Sequence, residues 1–145
     1  GDGSLWVGQT GRGWGSAGKK EFGLQRVVWD GKTQPFSMHA VNLTKTGFRI
    51  TFTKPVDLAL AKETKNYLVE RWGYQYHPRY GSGKTNHKKE APAKVTVAEN
   101  GLSVHLEIPL ETSRVYKIIL NGYKAKDGSP MANNIAWYTL NRLQN

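Results

Sequence analysis

The segment Arg71–Tyr80 contains the residues of this sequence best suited to contacting a ligand. It reads RWGYQYHPRY, so four aromatic rings occur within nine residues. Because side chains alternate along an extended strand, we expect Trp72, Tyr74 and Tyr76 to share one face. Flat rings beside arginines can stack on the apolar faces of sugars or on unpaired bases. The candidate ligand-binding residues are Arg71, Trp72, Tyr74, Tyr76, His77, Arg79 and Tyr80.

Two interpretations of these rings stay open. Exposed aromatic patches are unusual on monomeric proteins, which favours packing of the rings against the tryptophans of the N-terminal segment. Those tryptophans are Trp6, Trp14 and Trp29. The alternative is that the domain is a carbohydrate-binding module that stacks its ligand on the rings. The rings in question, called the aromatic strip below, are Trp72, Tyr74, Tyr76 and Tyr80.

The sequence offers little to a metal ion, a cofactor or a catalytic mechanism. It has no cysteine, which excludes disulfides, thiolate zinc sites and cysteine nucleophiles. His77 and His87 can meet across a loop with Glu90 nearby, but loop histidines are more often solvated, so a metal there stays open. No G-x-S-x-G element is present, and the carboxylates lie mostly at turns. We therefore expect no catalytic residue and no cofactor.

Two glycine-rich stretches imitate phosphate-binding motifs without their context. Gly13–Gly18 fits G-x-G-x-x-G, but a strand follows where a helix is required. Gly81–Thr85 lacks the earlier glycine of a phosphate loop, because Pro78 occupies that position. The sequence predicts a tight glycine loop for the first and a solvated loop for the second.

The positive charge of the chain calls for a partner but does not specify one. Lysine and arginine outnumber the acidic residues by 21 to 11, which gives a formal net charge of +10. Residues 62–90 hold a local surplus, and the rest is scattered without a groove-reading helix, so specific nucleic-acid binding is not expected. No apolar run approaches the roughly 20 residues that span a bilayer.

The elements that must position these residues are short strands. About seven apolar, alternating runs follow residue 35 at intervals of roughly 8–15 residues, which predicts an antiparallel β-sandwich. Asn100-Gly101 between two such runs indicates a hairpin, and Asp57 is placed to cap one short helical turn. Residues 1–31 hold nine of the sixteen glycines and read as strand, loop and strand. The predicted organisation is a two-stranded extension over 1–34 and a sandwich over 35–145.

Part of the sandwich resembles a known family. The strand FRITFTKPVD at Phe48–Asp57 is similar to the first strand of bacterial Ig-like domains, the kind found in surface-layer proteins. The family's later pieces follow in order: NYLV at 66–69, NGLSVHL at 100–106, YKIILNG at 116–122 and KDGSPM at 126–131. This resemblance implies an Ig-like β-sandwich.

The N-terminal segment resembles a different family. DGSLWVGQT at 2–10, GWG at 13–15 and GLQRVVW at 23–29 are similar to the last propeller blade of secreted, pyrroloquinoline-quinone sugar dehydrogenases. In multidomain versions, often fused to cytochrome c modules, a W-x-G-K-x-P-F element and an Ig-like domain follow, here as Trp29–Phe36 with one extra residue.

Together the two resemblances imply a piece of a larger secreted or periplasmic bacterial protein. The expected role is that of a non-catalytic accessory domain, which braces its parent or contacts protein or carbohydrate. Most of the propeller is missing from the sequence, so no quinone or calcium site is carried over.

Overall fold

The computed structural model describes residues 2–10 and 22–144. The chain divides into two units, Gly1–Gln34 and Pro35–Asn145. The predicted glycine loop, with Gly13–Gly18 and Trp14, lies outside the described residues.

The first unit contains a two-stranded antiparallel hairpin. Strands β1 (Leu5–Thr10) and β2 (Phe22–Val27) pair in register from Leu5 opposite Val27 to Thr10 opposite Phe22. The predicted strand pair is thus confirmed, with its second strand two residues earlier than expected. The described side chains of both strands are exposed, and within this unit a single pair of strands offers no second layer against which to bury a face.

The second unit is a sandwich of two four-stranded antiparallel sheets. The first sheet has the order β10-β9-β5-β6 and the second has the order β3-β4-β8-β7. This confirms the predicted all-β sandwich. Its eight described strands are β3 (Met38–Thr44), β4 (Gly47–Phe52), β5 (Tyr67–Tyr74), β6 (Lys84–Glu90), β7 (Lys94–Val97), β8 (Ser103–Glu107), β9 (Arg114–Leu120) and β10 (Ile135–Leu140).

Alternation of side chains in the central strands explains the core. In β4, Phe48, Ile50 and Phe52 are buried while Arg49 between them is exposed. The same period of two buries Val104 and Leu106 in β8. From the facing sheet, the rings of Tyr116 and Tyr138 come within 5.1 and 5.2 Å of the Phe48 ring, centroid to centroid. The sandwich is therefore held by apolar and aromatic residues that meet between the sheets.

Two local predictions about the connections are confirmed. Asp57 caps the helix α1 (Leu58–Lys62), where its Oδ1 accepts hydrogen bonds from the backbone N–H groups of Ala59 and Leu60. Asn100-Gly101 joins the antiparallel strands β7 and β8, and Gly101 has a φ of +68°, which glycine adopts without strain. A 3₁₀ turn over Thr64–Asn66 follows the helix.

One strand differs from the prediction. The region around Gly81–Thr85, expected to be a solvated loop, leads directly into β6, which makes eight strands in the sandwich instead of about seven. β6 reads KTNHKKE and is largely exposed, so it has no apolar alternation by which to recognise it. Among the described residues, β6 pairs with β5 and lies at the edge of its sheet.

Gly47 offers a test of how tightly the two central strands approach. A Cβ at this position would lie 1.9 Å from the Leu106 carbonyl oxygen and 3.1 Å from the Ile108 backbone nitrogen. We expect Gly47→Ala to lower the free energy of unfolding by about 3 kcal/mol, because backbone atoms cannot yield as side chains do. Urea unfolding followed by circular dichroism measures the loss.

Gly83→Ala is the matched control. No atom lies within 4 Å of a Cβ at Gly83, so its free energy of unfolding should change by less than about 0.5 kcal/mol. Equal midpoints for the two variants would contradict the close approach at Gly47.

Candidate functional site

The sequence-predicted ligand residues lie on the β5–β6 hairpin and on the loop at its tip, residues 75–83. Tyr76 and Tyr80 extend fully into solvent, with relative exposures of 102% and 108%. Arg79 between them is also exposed. A hydrogen bond of 3.0 Å from the Gln75 N–H to the Ser82 hydroxyl oxygen holds the two ends of the loop together. The tip thus presents two tyrosine rings and a cation.

Trp72 does not share this exposure. Strand β5 ends at Tyr74, so the alternation that was expected to align Tyr76 with Trp72 stops two residues too early. Trp72 is 3% exposed, whereas Tyr74 is 54% exposed. The predicted continuous aromatic strip is therefore wrong at Trp72, and the exposed rings of the strip are Tyr74, Tyr76 and Tyr80.

Side chains from β6 cover Trp72 on the outer face of the sheet. The Lys84 Nζ lies 3.8 Å from the centroid of the indole, which is a cation–π contact. The His87 ring lies edge-on at 5.9 Å, and its Nε2 is 3.4 Å from a carboxylate oxygen of Glu70. The indole Nε1 is buried and has no hydrogen-bond partner among the described residues. This cover, unseen in the sequence, removes Trp72 from the ligand-accessible surface.

Arg71 points to the opposite face and is engaged in ion pairs. Its Nε and Nη2 each donate to Glu90 Oε1 at 3.1 Å, and its Nη1 donates to Glu111. Glu111 also accepts a hydrogen bond from Arg114. Burial by itself lowers the pKa of Arg71, but the bonds to the two glutamates outweigh it and raise that pKa. Arg71 therefore stabilises the end of the sandwich and is not free to orient a sugar beside the rings.

The described residues do not assemble a metal-ligand set at His77 and His87, where the sequence left a metal site open. Glu90 faces Arg71, whereas His87 pairs with Glu70, so the three proposed ligands are not brought together. His77 is half-buried, and its Nδ1 has no partner among the described residues. Across residues 2–10 and 22–144, no group of three or more histidine, cysteine, aspartate or glutamate side chains is placed to hold a metal.

Sequence reasoning missed a further exposed aromatic residue of the sandwich, Trp137 in β10. It is 61% exposed and stands beside a groove of about 270 Å³ between the edge strands of the two sheets. The signal was present in the sequence, since Trp137 occupies the outward position of an alternating strand. The groove itself depends on the pairing of the strands. It is lined by Met38, His39, Ala40, Val41, Asn133, Ile135, Ala136, Trp137 and Tyr138.

The chain is similar to three solved structures of one bacterial surface-layer protein, SbsC. The structures of rSbsC(31-844) and of SbsC domains 1-6 are each 27% identical to it, with TM-scores of 0.53. The N-terminal part of SbsC gives the same identity and a TM-score of 0.52. The sandwich is like a surface-layer domain. No family model matches the chain, and a search of curated proteins finds no match.

The match covers most of this chain and little of SbsC. It spans 74% of the chain but 14% of rSbsC(31-844) and 24% of the N-terminal part. None of the three structures is described as a quinone-dependent enzyme, so the dehydrogenase parent stays a prediction. In the residues described, no helix is long and apolar enough to span a membrane. The chain therefore contains a sandwich similar to a surface-layer domain, with an exposed loop that carries Tyr76 and Tyr80.

The ion pairs of Arg71 predict a pH dependence of stability. The hydrogen bond from Arg71, followed by the charge of Arg114, holds the pKa of Glu111 below its usual value of 4.5. A carboxyl with a lowered folded-state pKa contributes stability above its unfolded pKa, and the contribution disappears as pH falls through the folded value. We therefore expect the stability difference between wild type and Glu111→Gln to shrink steadily below about pH 4.5.

Urea midpoints measured from neutral to acidic pH test this expectation. Glu99→Gln is the control, since Glu99 is exposed and forms no ion pair among the described residues. Its stability should run parallel to that of wild type at every pH. A Glu111→Gln difference that did not depend on pH would contradict the role given to the ion pair.

Proposed function

We propose that this chain is a non-catalytic structural domain of a larger protein at the bacterial cell surface. The observation that carries the proposal is the likeness to SbsC at 27% identity over 74% of the chain. The small share of SbsC that is covered supports the idea that such a domain is one of many in its chain. The domain's task is to hold its neighbours at a fixed spacing.

The packing of the sandwich supports a mechanical role. Its core is filled by aromatic and branched side chains from both sheets, and the hydroxyls of Tyr67 and Tyr116 are hydrogen-bonded. Tyr67 donates to the Ala61 carbonyl oxygen at 2.6 Å, and Tyr116 donates to that of Pro109 at 3.1 Å. Burial raises the pKa of Tyr67 to about 12. A densely packed aromatic core with hydrogen-bonded tyrosine hydroxyls resists distortion and leaves little room for a buried substrate site.

The nature of the parent is a further part of the proposal. Residues 2–29 resemble a terminal propeller blade of a secreted sugar dehydrogenase, and β1 and β2 expose apolar residues on both faces. Leu5, Trp6, Phe22 and Leu24 are among them. Two strands with two apolar faces fit one edge of a larger β structure, such as a blade completed by its parent.

Surface labelling of the source bacterium tests location and parent together. Intact cells are treated with a membrane-impermeant biotin reagent, and the protein is then precipitated with an antibody against residues 35–145. We expect a biotinylated polypeptide well above 16.3 kDa. A cytoplasmic enzyme that stays unlabelled is the control for intact cells. Labelling that appeared only after lysis would overturn the location.

Mass spectrometry of the precipitated polypeptide addresses the parent. Peptides from repeated propeller blades would support the dehydrogenase parent. Further sandwich repeats in place of blades would leave the structural role intact and rule that parent out.

A second candidate function, contact with carbohydrate, rests on the exposed tyrosine loop. Tyr76 and Tyr80 flank Arg79 at the hairpin tip, where rings can stack on pyranose faces and a cation can meet acidic sugars. Trp72, although part of the sequence-predicted strip, is covered and belongs to the fold. The candidate surface therefore narrows to the loop and the adjacent Tyr74.

Affinity electrophoresis through gels that contain neutral or acidic polysaccharides tests this surface. We expect polysaccharide in the gel to retard the wild type. The double variant Tyr76→Ala with Tyr80→Ala should migrate without retardation, which corresponds to a loss of at least about tenfold in affinity. Because both rings are solvent-exposed, the double variant should unfold at the same urea concentration as wild type.

Tyr138→Phe is the control, since Tyr138 lies in the other edge strand and packs against Phe48. It should be retarded like wild type. Absence of retardation of the wild type in every polysaccharide tested would contradict the carbohydrate function.

A further inference from the structure

The four edges of the two sheets differ sharply in charge. On one side of the sandwich, β6 carries three lysines and β7 begins with Lys94 and follows the buried Pro92. On the other side, β3 reads MHAVNLT and β10 reads IAWYTL, without lysine, arginine, aspartate or glutamate. Lysine and proline on edge strands prevent pairing with other chains. The β3–β10 side lacks that protection.

The hydrogen bonds of β10 show which backbone groups its free edge presents. The carbonyl oxygens of Asn134 and Leu140 accept hydrogen bonds from Leu120 and Ser113, at either end of β9. Because alternate residues of a strand direct their N–H and C=O groups to opposite sides, the even-numbered residues of β10 face β9. The groups of Ile135, Trp137 and Thr139 therefore point to the free edge. Among the described residues, β10 pairs with β9 alone.

We propose that β10 is a dimerisation edge, which pairs antiparallel with β10 of a second copy of this chain. The twofold axis passes beside Trp137, so that each Trp137 exchanges backbone hydrogen bonds with its counterpart. In this register, Ile135 of each copy lies opposite Thr139 of the other copy. The first sheets of the two copies join into one continuous sheet of eight strands, in which β10 is no longer an edge.

The free edge of β10 is complementary to itself, which favours a second copy of this chain as its partner. The outward groups of Ile135, Trp137 and Thr139 lie symmetrically about Trp137, so one register satisfies both strands. The two Trp137 rings, now exposed, become cross-strand neighbours on the outer face, a favourable aromatic pair. The groove beside β10 is lined by residues other than lysine, arginine, aspartate and glutamate, so the contact desolvates no ammonium, guanidinium or carboxylate group of this lining.

The size and charge of the contact set its strength. A six-residue strand spans roughly 20 Å, and its pairing falls in the class of small, transient interfaces. Two chains of net charge +10 repel each other, but salt screens charges beyond about 8 Å at physiological ionic strength. We therefore expect a weak dimer, populated at high protein concentration and favoured by added salt. This inference does not depend on the proposed function.

Sedimentation equilibrium of the whole chain, up to about 1 mM protein, tests the dimer. We expect a concentration-dependent dimer that Trp137→Lys weakens at least about tenfold, because two ammonium groups would face each other across the axis. Thr96→Lys, on the exposed face of β7, adds the same charge elsewhere and should dimerise like wild type. A chain that stayed monomeric throughout, or a dimer unaffected by Trp137→Lys, would overturn the proposal.

Leu24→Lys separates this edge from the exposed hairpin of the first unit. Leu24 is an exposed residue of β2, and its substitution should leave dimerisation unchanged. A dimer that dissociated on Leu24→Lys but persisted in Trp137→Lys would place the contact on the hairpin and refute the β10 edge.

Single cysteines test the register, since the chain has no cysteine of its own. Opposite residues of a hydrogen-bonded antiparallel pair have Cα atoms about 5.5 Å apart, within the range of a disulfide. Mild oxidation should therefore link Trp137→Cys into a covalent dimer. Ile135→Cys should stay unlinked, because its counterpart lies four residues along the partner strand. Linking of Ile135→Cys in preference to Trp137→Cys would contradict the register.

Discussion

The structure depends on one constraint, which is that each sheet has one apolar face and must bury it against the other. Phe48 from one sheet and Tyr116 from the facing sheet meet in an edge-to-face contact at the centre. The hydroxyl of Tyr116 reaches the rim, where it donates to the Pro109 carbonyl oxygen and accepts from the Glu111 N–H. Tyr116 therefore fills the core and connects it to the segment that precedes β9, and its own hydroxyl is hydrogen-bonded.

The same constraint decides what β5 can offer to a ligand. Its inward positions continue the core until Arg71, whose charge is matched by Glu90 and Glu111 at the end of the sandwich. Its outward positions lead to Trp72, which the side chains of β6 cover. The last residue of β5, Tyr74, is exposed, and beyond the end of the strand Tyr76 and Tyr80 reach solvent. The hairpin thus combines a fixed base with an exposed tip.

Much of this fold follows from the sequence, and the exceptions have physical causes. The alternation in Phe48-Arg49-Ile50 predicts a strand because one face of that strand is buried. Asn100-Gly101 predicts a turn because glycine tolerates a positive φ. β6 gives no such signal, because an edge strand with little burial is selected by backbone pairing and not by side-chain pattern. The aromatic strip failed at Trp72 for the same reason, since the residues that cover it belong to the unrecognised strand. The exposure of Tyr76 and Tyr80 and the pairing of Arg71 likewise depend on where β5 ends and what faces it.

The covered position of Trp72 has a spectroscopic consequence. Of the tryptophans in the described residues, Trp6, Trp29 and Trp137 are exposed, and Trp72 alone is buried. An indole shielded from water emits at shorter wavelength than its exposed counterparts. Lys84 and His87 of β6 shield the indole of Trp72. The short-wavelength part of the tryptophan emission spectrum therefore reports whether β6 is paired with β5. Detachment of that edge strand would be visible as a red shift while the rest of the sandwich stayed folded.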